Sequence, residues 1–82
     1  MNAQKLLRKA LGNPRGLRFT EALTLAKAFG FRLDRISGSH HILKHAGIPQ
    51  LVNLQNVRGM AKPYQLRQLL KLVEIHNLAL ES

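Results

Sequence analysis

Gly30-Phe31-Arg32-Leu33-Asp34-Arg35-Ile36-Ser37-Gly38-Ser39-His40-His41-Ile42-Leu43-Lys44-His45 is where the period of the chain changes. Before Gly30 the apolar residues recur at helical spacing. From Phe31 onward they alternate, with Phe31, Leu33 and Arg35 pointing one way and Arg32, Asp34 and Ile36 the other. Ser37-Gly38-Ser39 is a turn signal, so His40–His45 is predicted to return as the second strand of a hairpin.

Working outward, Ala46-Gly47-Ile48-Pro49 reads as the next turn and Gln50–Gln55 as a third short strand. Asn56-Val57-Arg58-Gly59-Met60 reads as a loop, and Pro63 suits the first position of a helix. Leu66, Leu69, Leu70 and Val73 form an i, i+3, i+4, i+7 stripe that predicts a helix to about Asn77. On the other side of the hairpin, Ala22, Leu25, Ala26 and Phe29, with Leu23, make a helical stripe. Thr20 is its predicted N-cap, Glu21 favours the positive end of its dipole, and Gly30 is its predicted stop. Ala3, Leu6, Leu7, Ala10 and Leu11 predict a short first helix ended by Gly12-Asn13-Pro14.

The order is helix, helix, three antiparallel strands, helix. Helices on one face of a sheet give an α+β two-layer sandwich whose other face is free to dock a partner. At 82 residues the chain has room for one core. We divide it into residues 1–17, an N-terminal helix and basic linker, and residues 18–82, the main domain.

Thirteen Lys/Arg against four Asp/Glu give a formal charge of +9 and a pI near 11.4. Such a balance points to nucleic acid or to an acidic protein as partner. With three Phe, one Tyr and no Trp, base stacking is a poor candidate for the main mode of binding. Tyr64, at the predicted start of the last helix, is expected to pack against the sheet. The absence of cysteine removes disulfides and thiolate metal sites. No apolar run suits a membrane span or a signal peptide, so a cytoplasmic location is expected.

Three of the four histidines fall within His40–His45. On a strand His40, Ile42 and Lys44 share one face, and His41, Leu43 and His45 the other. Leu43 suits the core, which would leave His40 and Lys44 on the open face with His41 partly buried. Three readings compete. The histidines can be ordinary strand and turn residues. A metal site is disfavoured, because His41 and His45 would lie about 13 Å apart along an extended strand. The third reading is acid/base catalysis on a ribose 2′-hydroxyl, with nearby Lys or Arg stabilising the developing charge. Gly38 and Ser39 form a turn at which a phosphate can approach backbone N–H groups. Arg58 and Lys62, just before the last helix, are placed to meet a phosphate at its N-terminus or to form a solvated loop.

Gly38-Ser39-His40-His41-Ile42-Leu43-Lys44-His45, following Gly30-Phe31-Arg32-Leu33-Asp34-Arg35-Ile36, closely resembles the HicA toxin family, small bacterial mRNA interferases of type II toxin–antitoxin systems. The likeness runs from about Phe19 to Asn77, and Ala61-Lys62-Pro63-Tyr64-Gln65 resembles the subset with a longer N-terminus. It implies a double-stranded-RNA-binding-domain-like α-β-β-β-α fold, here with an extra short N-terminal helix. It also implies a metal-independent endoribonuclease acting on mRNA without a ribosome, and neutralisation by a HicB-like antitoxin that covers the active surface. The family's catalytic histidine maps to His40, and its turn to Gly38 and Ser39. Lys44 is the nearest candidate for phosphate stabilisation. No metal, small-molecule cofactor or membrane is implied. The alternatives are a non-catalytic RNA-binding module of the same fold and a basic adaptor for an acidic protein.

Overall fold

A computed structural model describes residues 2–81. Helix α1 spans Ala3–Gly12, a 3-10 turn Pro14–Gly16, and helix α2 Phe19–Ala28. Strands β1 (Arg32–Ser37), β2 (His40–His45), β3 (Ile48–Val57) and β4 (Met60–Ala61) follow, and helix α3 covers Pro63–Ile75. The strands form one antiparallel sheet in sequence order. The helices lie on one face, which makes the α+β two-layer sandwich that a double-stranded-RNA-binding-domain-like fold requires.

Asn2 caps α1, its Oδ1 accepting from the Lys5 N–H at 2.9 Å. Leu6 and Ala10 enter the core, while Leu11 on the predicted stripe stays exposed. Helix α2 starts two residues earlier than a Thr20 N-cap predicts, with Arg18 at its N-cap. Glu21 supplies the missing acceptor: its Oε1 takes the Arg18 N–H at 2.9 Å. Thr20 is then inside the first turn, its carbonyl accepting from the Thr24 hydroxyl at 2.9 Å. The earlier start buries Phe19 with Ala22, Leu25 and Ala26 on one stripe.

The hairpin is present, but the phase of β1 is not a simple alternation. Leu33 pairs with Leu43 and Arg35 with Ile42, so Asp34 is an extra residue in a β-bulge. Beyond it Ile36 pairs with His41. Leu33 and Ile36 therefore share a face, whereas strict alternation puts Leu33 with Arg35. Strand β3 is also longer than Gln50–Gln55. Leu43 pairs with Val52 and His45 with Ile48, leaving residues 49–51 opposite Lys44 alone. Pro49 lacks the N–H a ladder needs, which fits an irregularity at this point.

The predicted loop after Gln55 is a third hairpin. Asn56 pairs with Ala61 and Val57 with Met60, which adds a fourth short strand. Its two-residue turn, Arg58-Gly59, has φ of 55° and 85°. Positive φ at both positions is the type I′ pattern, whose twist matches that of the flanking strands.

The core joins Leu17, Phe29 and Phe31 to Leu43, Val52 and Leu54 of the sheet and to Leu66 and Leu69 of α3. Leu66 and Leu69 are fully buried, each contributing about 1.5–3 kcal/mol by burial. Helix α3 ends at Ile75, short of Asn77, and the following segment turns back so that Leu78 and Leu80 pack on the core. Among the described residues no helix is long and apolar enough to cross a membrane.

Candidate functional site

His40 opens β2 and is half-buried, with Ser37 and Gln55 as its neighbours on the flanking strands. Only Gly38 and Ser39 separate it from Ser37, and φ is +60° at Gly38. Positive φ at the first turn position alone is the type II′ pattern, which favours glycine there. A Cβ at Gly38 meets no atom within 4 Å, so the turn is open to solvent and its constraint is the backbone alone.

The side chains of β2 divide as the strand period requires. Leu43 is fully buried among the helices. His41 packs edge-on against Phe19, ring centroids 4.6 Å apart, and His45 against Phe31 at 5.2 Å. His41 Nδ1 is buried without a hydrogen-bond partner, and His45 Nδ1 accepts from the Gly47 N–H at 3.0 Å. The His41 ring thus packs the sheet on α2, and the His45 ring packs on Phe31 just before β1. Only His40 of the three lies on the face away from the helices, with Ile42 and Lys44.

His40 Nδ1 lies 3.1 Å from Asn53 Oδ1. An amide oxygen only accepts, so in the neutral ring this pairing places the proton on Nδ1 and the lone pair on Nε2. Asn53 pairs with Ile42 and so sits diagonally from His40 on the same face. Nothing in the local sequence around Asn53 marks it; the signal is the register of β3 on β2. Ser39 is tied to the same strand. Its hydroxyl accepts from Gln55 Nε2 at 3.1 Å, and its carbonyl from the Asn56 N–H at 3.0 Å.

Gln65, a buried polar side chain of α3, is the other residue that sequence reading passes over. Its Oε1 accepts from the Gln55 N–H at 2.7 Å. The first turn of α3 is thereby pinned to the strand beside His40.

Lys44 is on the His40 face, four residues away, about 13 Å along the strand. Its Nζ makes an ion pair with Asp34 Oδ1 at 3.2 Å, and Arg35 holds the other carboxylate oxygen at 2.8 Å. The hydrogen bond from Lys44, then that from Arg35, keeps the Asp34 carboxyl below its ordinary range. The bulge at Asp34 is what brings this carboxylate to the basic face.

Arg58 occupies the tip of the β3–β4 turn and is exposed. Lys62 is the N-cap residue of α3 and lines a groove with Arg15 and Arg67. The structure thus groups Lys62 with two arginines that the sequence places far away, and leaves Arg58 outside that groove's lining. Besides the two pairs at Asp34, Lys9–Glu21 at 3.0 Å is the ion pair among the described residues. Arg15, Arg18, Arg58, Lys62 and Arg67 form none with those residues. No three His, Asp or Glu side chains among the described residues converge as a metal-binding group.

The family model of the HicA toxin of bacterial toxin–antitoxin systems matches residues 19–75. The chain belongs to the HicA toxin family. No curated protein and no solved structure matches it. The matched span begins at the first residue of α2 and ends at the last of α3, so it takes in the sheet, His40 and Asn53. As a HicA family member the chain is assigned the toxin's part in a toxin–antitoxin system, with a cognate antitoxin as its partner.

Proposed function

We propose that this HicA family member is a metal-independent endoribonuclease that cuts mRNA in the cytoplasm, and that a HicB-like antitoxin silences it by covering the open face of the sheet. The observation that carries the reading is the 3.1 Å contact between His40 Nδ1 and Asn53 Oδ1. In the neutral ring it favours the tautomer whose Nε2 lone pair can act as a base on a cationic surface.

In the proposed reaction His40 Nε2 removes the proton of a ribose 2′-hydroxyl. The freed oxygen attacks the adjacent phosphorus and the bond to the 5′-oxygen breaks. One product then ends in a 2′,3′-cyclic phosphate, and the other carries a 5′-hydroxyl once its oxygen gains a proton. The chemistry asks for no metal or cofactor. The Gly38-Ser39 turn, with no side chain above Gly38, lets a phosphate approach its backbone N–H groups. Arg35 and Lys44 add positive charge to the same face further along the hairpin, partly offset by Asp34. Arg58 and Lys62 contact the RNA backbone further along.

The deciding experiment incubates purified protein with RNA in EDTA beside a His40→Ala variant shown by circular dichroism to be folded. Cleavage by the wild type, ending in a cyclic phosphate and absent from the variant, is the expected result. Equal cleavage by both, or binding without cleavage by the wild type, rejects the catalytic role and leaves an RNA-binding module.

A further inference from the structure

The chain has four Phe or Tyr rings, and the structure treats one differently from the rest. Phe19, Phe29 and Phe31 are buried, whereas Tyr64 is 51% exposed. The sequence leads one to expect Tyr64 packed against the sheet. Instead it stands at the start of α3 in a surface groove with Arg15, Val57, Met60, Lys62 and Arg67. The Lys62 ammonium lies 5.8 Å from the centre of its ring, within cation–π range. No carboxylate lines this groove. The ion pairs of the described residues lie elsewhere, at Lys9, Arg35 and Lys44.

From these observations we infer that the Tyr64 groove is a subsite for one unstacked nucleobase of single-stranded RNA, with Arg15, Lys62 and Arg67 on the flanking phosphates. An exposed ring ringed by unpaired cations offers both things a single strand presents, a π-face and a phosphate. A base inside a duplex is already stacked and has no free face, so the groove selects single strands. The subsite adds one stack to a surface that binds mainly by charge.

The inference rests on the RNA reading above and locates the subsite relative to His40. Gln55 is the cross-strand neighbour of His40, and Val57, two residues further along β3, lines the groove. That is about 7 Å of strand. Gln65, adjacent to Tyr64, fixes the same point through its bond to the Gln55 N–H. The base held at Tyr64 therefore belongs to a nucleotide beside the one attacked, and the groove biases which base flanks the cut.

The test uses the intact chain and a 2′-O-methyl oligoadenylate, which has no free 2′-hydroxyl and is not cut by the proposed route. Tyr64 is the single Tyr and there is no Trp, so intrinsic tyrosine emission reports this ring alone. Saturable quenching by the oligoadenylate, and none by an abasic phosphodiester of equal length, is expected. By anisotropy of a dye-labelled oligonucleotide, Tyr64→Ala weakens binding by about five- to a hundredfold, the range for one lost base–aromatic stack. Tyr64→Phe keeps wild-type affinity, which separates loss of the ring from loss of the fold. Equal quenching by the abasic polymer, or wild-type affinity in Tyr64→Ala, overturns the subsite. So does a Tyr64→Ala variant that loses only antitoxin binding, since the groove is then a protein contact. Because the oligonucleotide is not cut, these outcomes are independent of whether His40 cleaves RNA.

Discussion

The amide oxygen of Asn53 accepts from His40 Nδ1 at 3.1 Å across the β2–β3 pair. One hydrogen bond thereby orients the ring and, in its neutral form, favours the proton on Nδ1. Asn53 is a positioning residue, since it reaches the proposed reaction only through His40. Asn53→Ala frees the ring and is expected to lower RNA cleavage by roughly tenfold or more while leaving affinity for uncleavable RNA unchanged. Asn53→Asp places a carboxylate against the ring and favours its protonated form. The pH of half-maximal cleavage should then move upward. A pH–rate profile checks this, and an unmoved profile in Asn53→Asp means that Nδ1 does not report on the reacting proton.

Gln65 accepts from the Gln55 N–H at 2.7 Å from a buried position. Gln65→Leu adds apolar surface to the core yet is expected to lower stability by about 1–3 kcal/mol, because a buried N–H then has no acceptor. Urea unfolding gives the number. An unchanged or raised midpoint would show that the strand N–H finds another partner. Loss of the tie also loosens β3 beside His40, so cleavage should fall more than stability alone accounts for.

Glu21 links α1 to α2 while it caps α2. Its carboxyl lies below its ordinary value of 4.5, first through the Arg18 N–H and then through Lys9. A group whose folded value is depressed stabilises the fold above its unfolded value and loses that contribution as pH falls through the folded one. Glu21→Ala should therefore cost about 1–2 kcal/mol at neutral pH, from one cap and one ion pair. The difference from wild type should shrink as pH drops below 4.5. Thermal melts from pH 7 to pH 3 follow it, and a gap that does not change with pH removes the ionised carboxylate from the explanation.

The parts of this fold that were legible in the sequence are those where one physical period holds. Leu66 and Leu69 lie inside because a helical stripe has few alternatives, and the two faces of His40–His45 separate because strand alternation is strict there. The period fails at Asp34, where an added residue reverses the phase of β1. Pattern alone does not show a bulge, since Arg35 and Ile36 suit either face of an edge strand. The fourth strand stayed hidden for a related reason: Arg58 is not a residue that advertises positive φ. At the site, local motif reading reached His40 and its turn. Asn53, Gln65 and the Arg15–Lys62–Arg67 grouping depend on register and on which loops meet, and neither is written in local sequence.

Arg58 links the geometry of that turn to its proposed contact with RNA. Its φ of 55° costs part of the roughly 1–2 kcal/mol that an L-residue loses in the left-handed region. Asn56 Oδ1 accepts from the Gly59 N–H at 2.7 Å, which helps hold the turn. Asparagine tolerates positive φ far better and is favoured before glycine in a type I′ turn. Arg58→Asn should therefore raise the unfolding midpoint. The same change removes one cation, so if Arg58 meets a phosphate, the slope of log K against log salt for single-stranded RNA should become shallower by about 0.7. A more stable variant with an unchanged slope would remove Arg58 from the interface. Both effects together would mean that a strained residue is kept at the turn for the charge it carries.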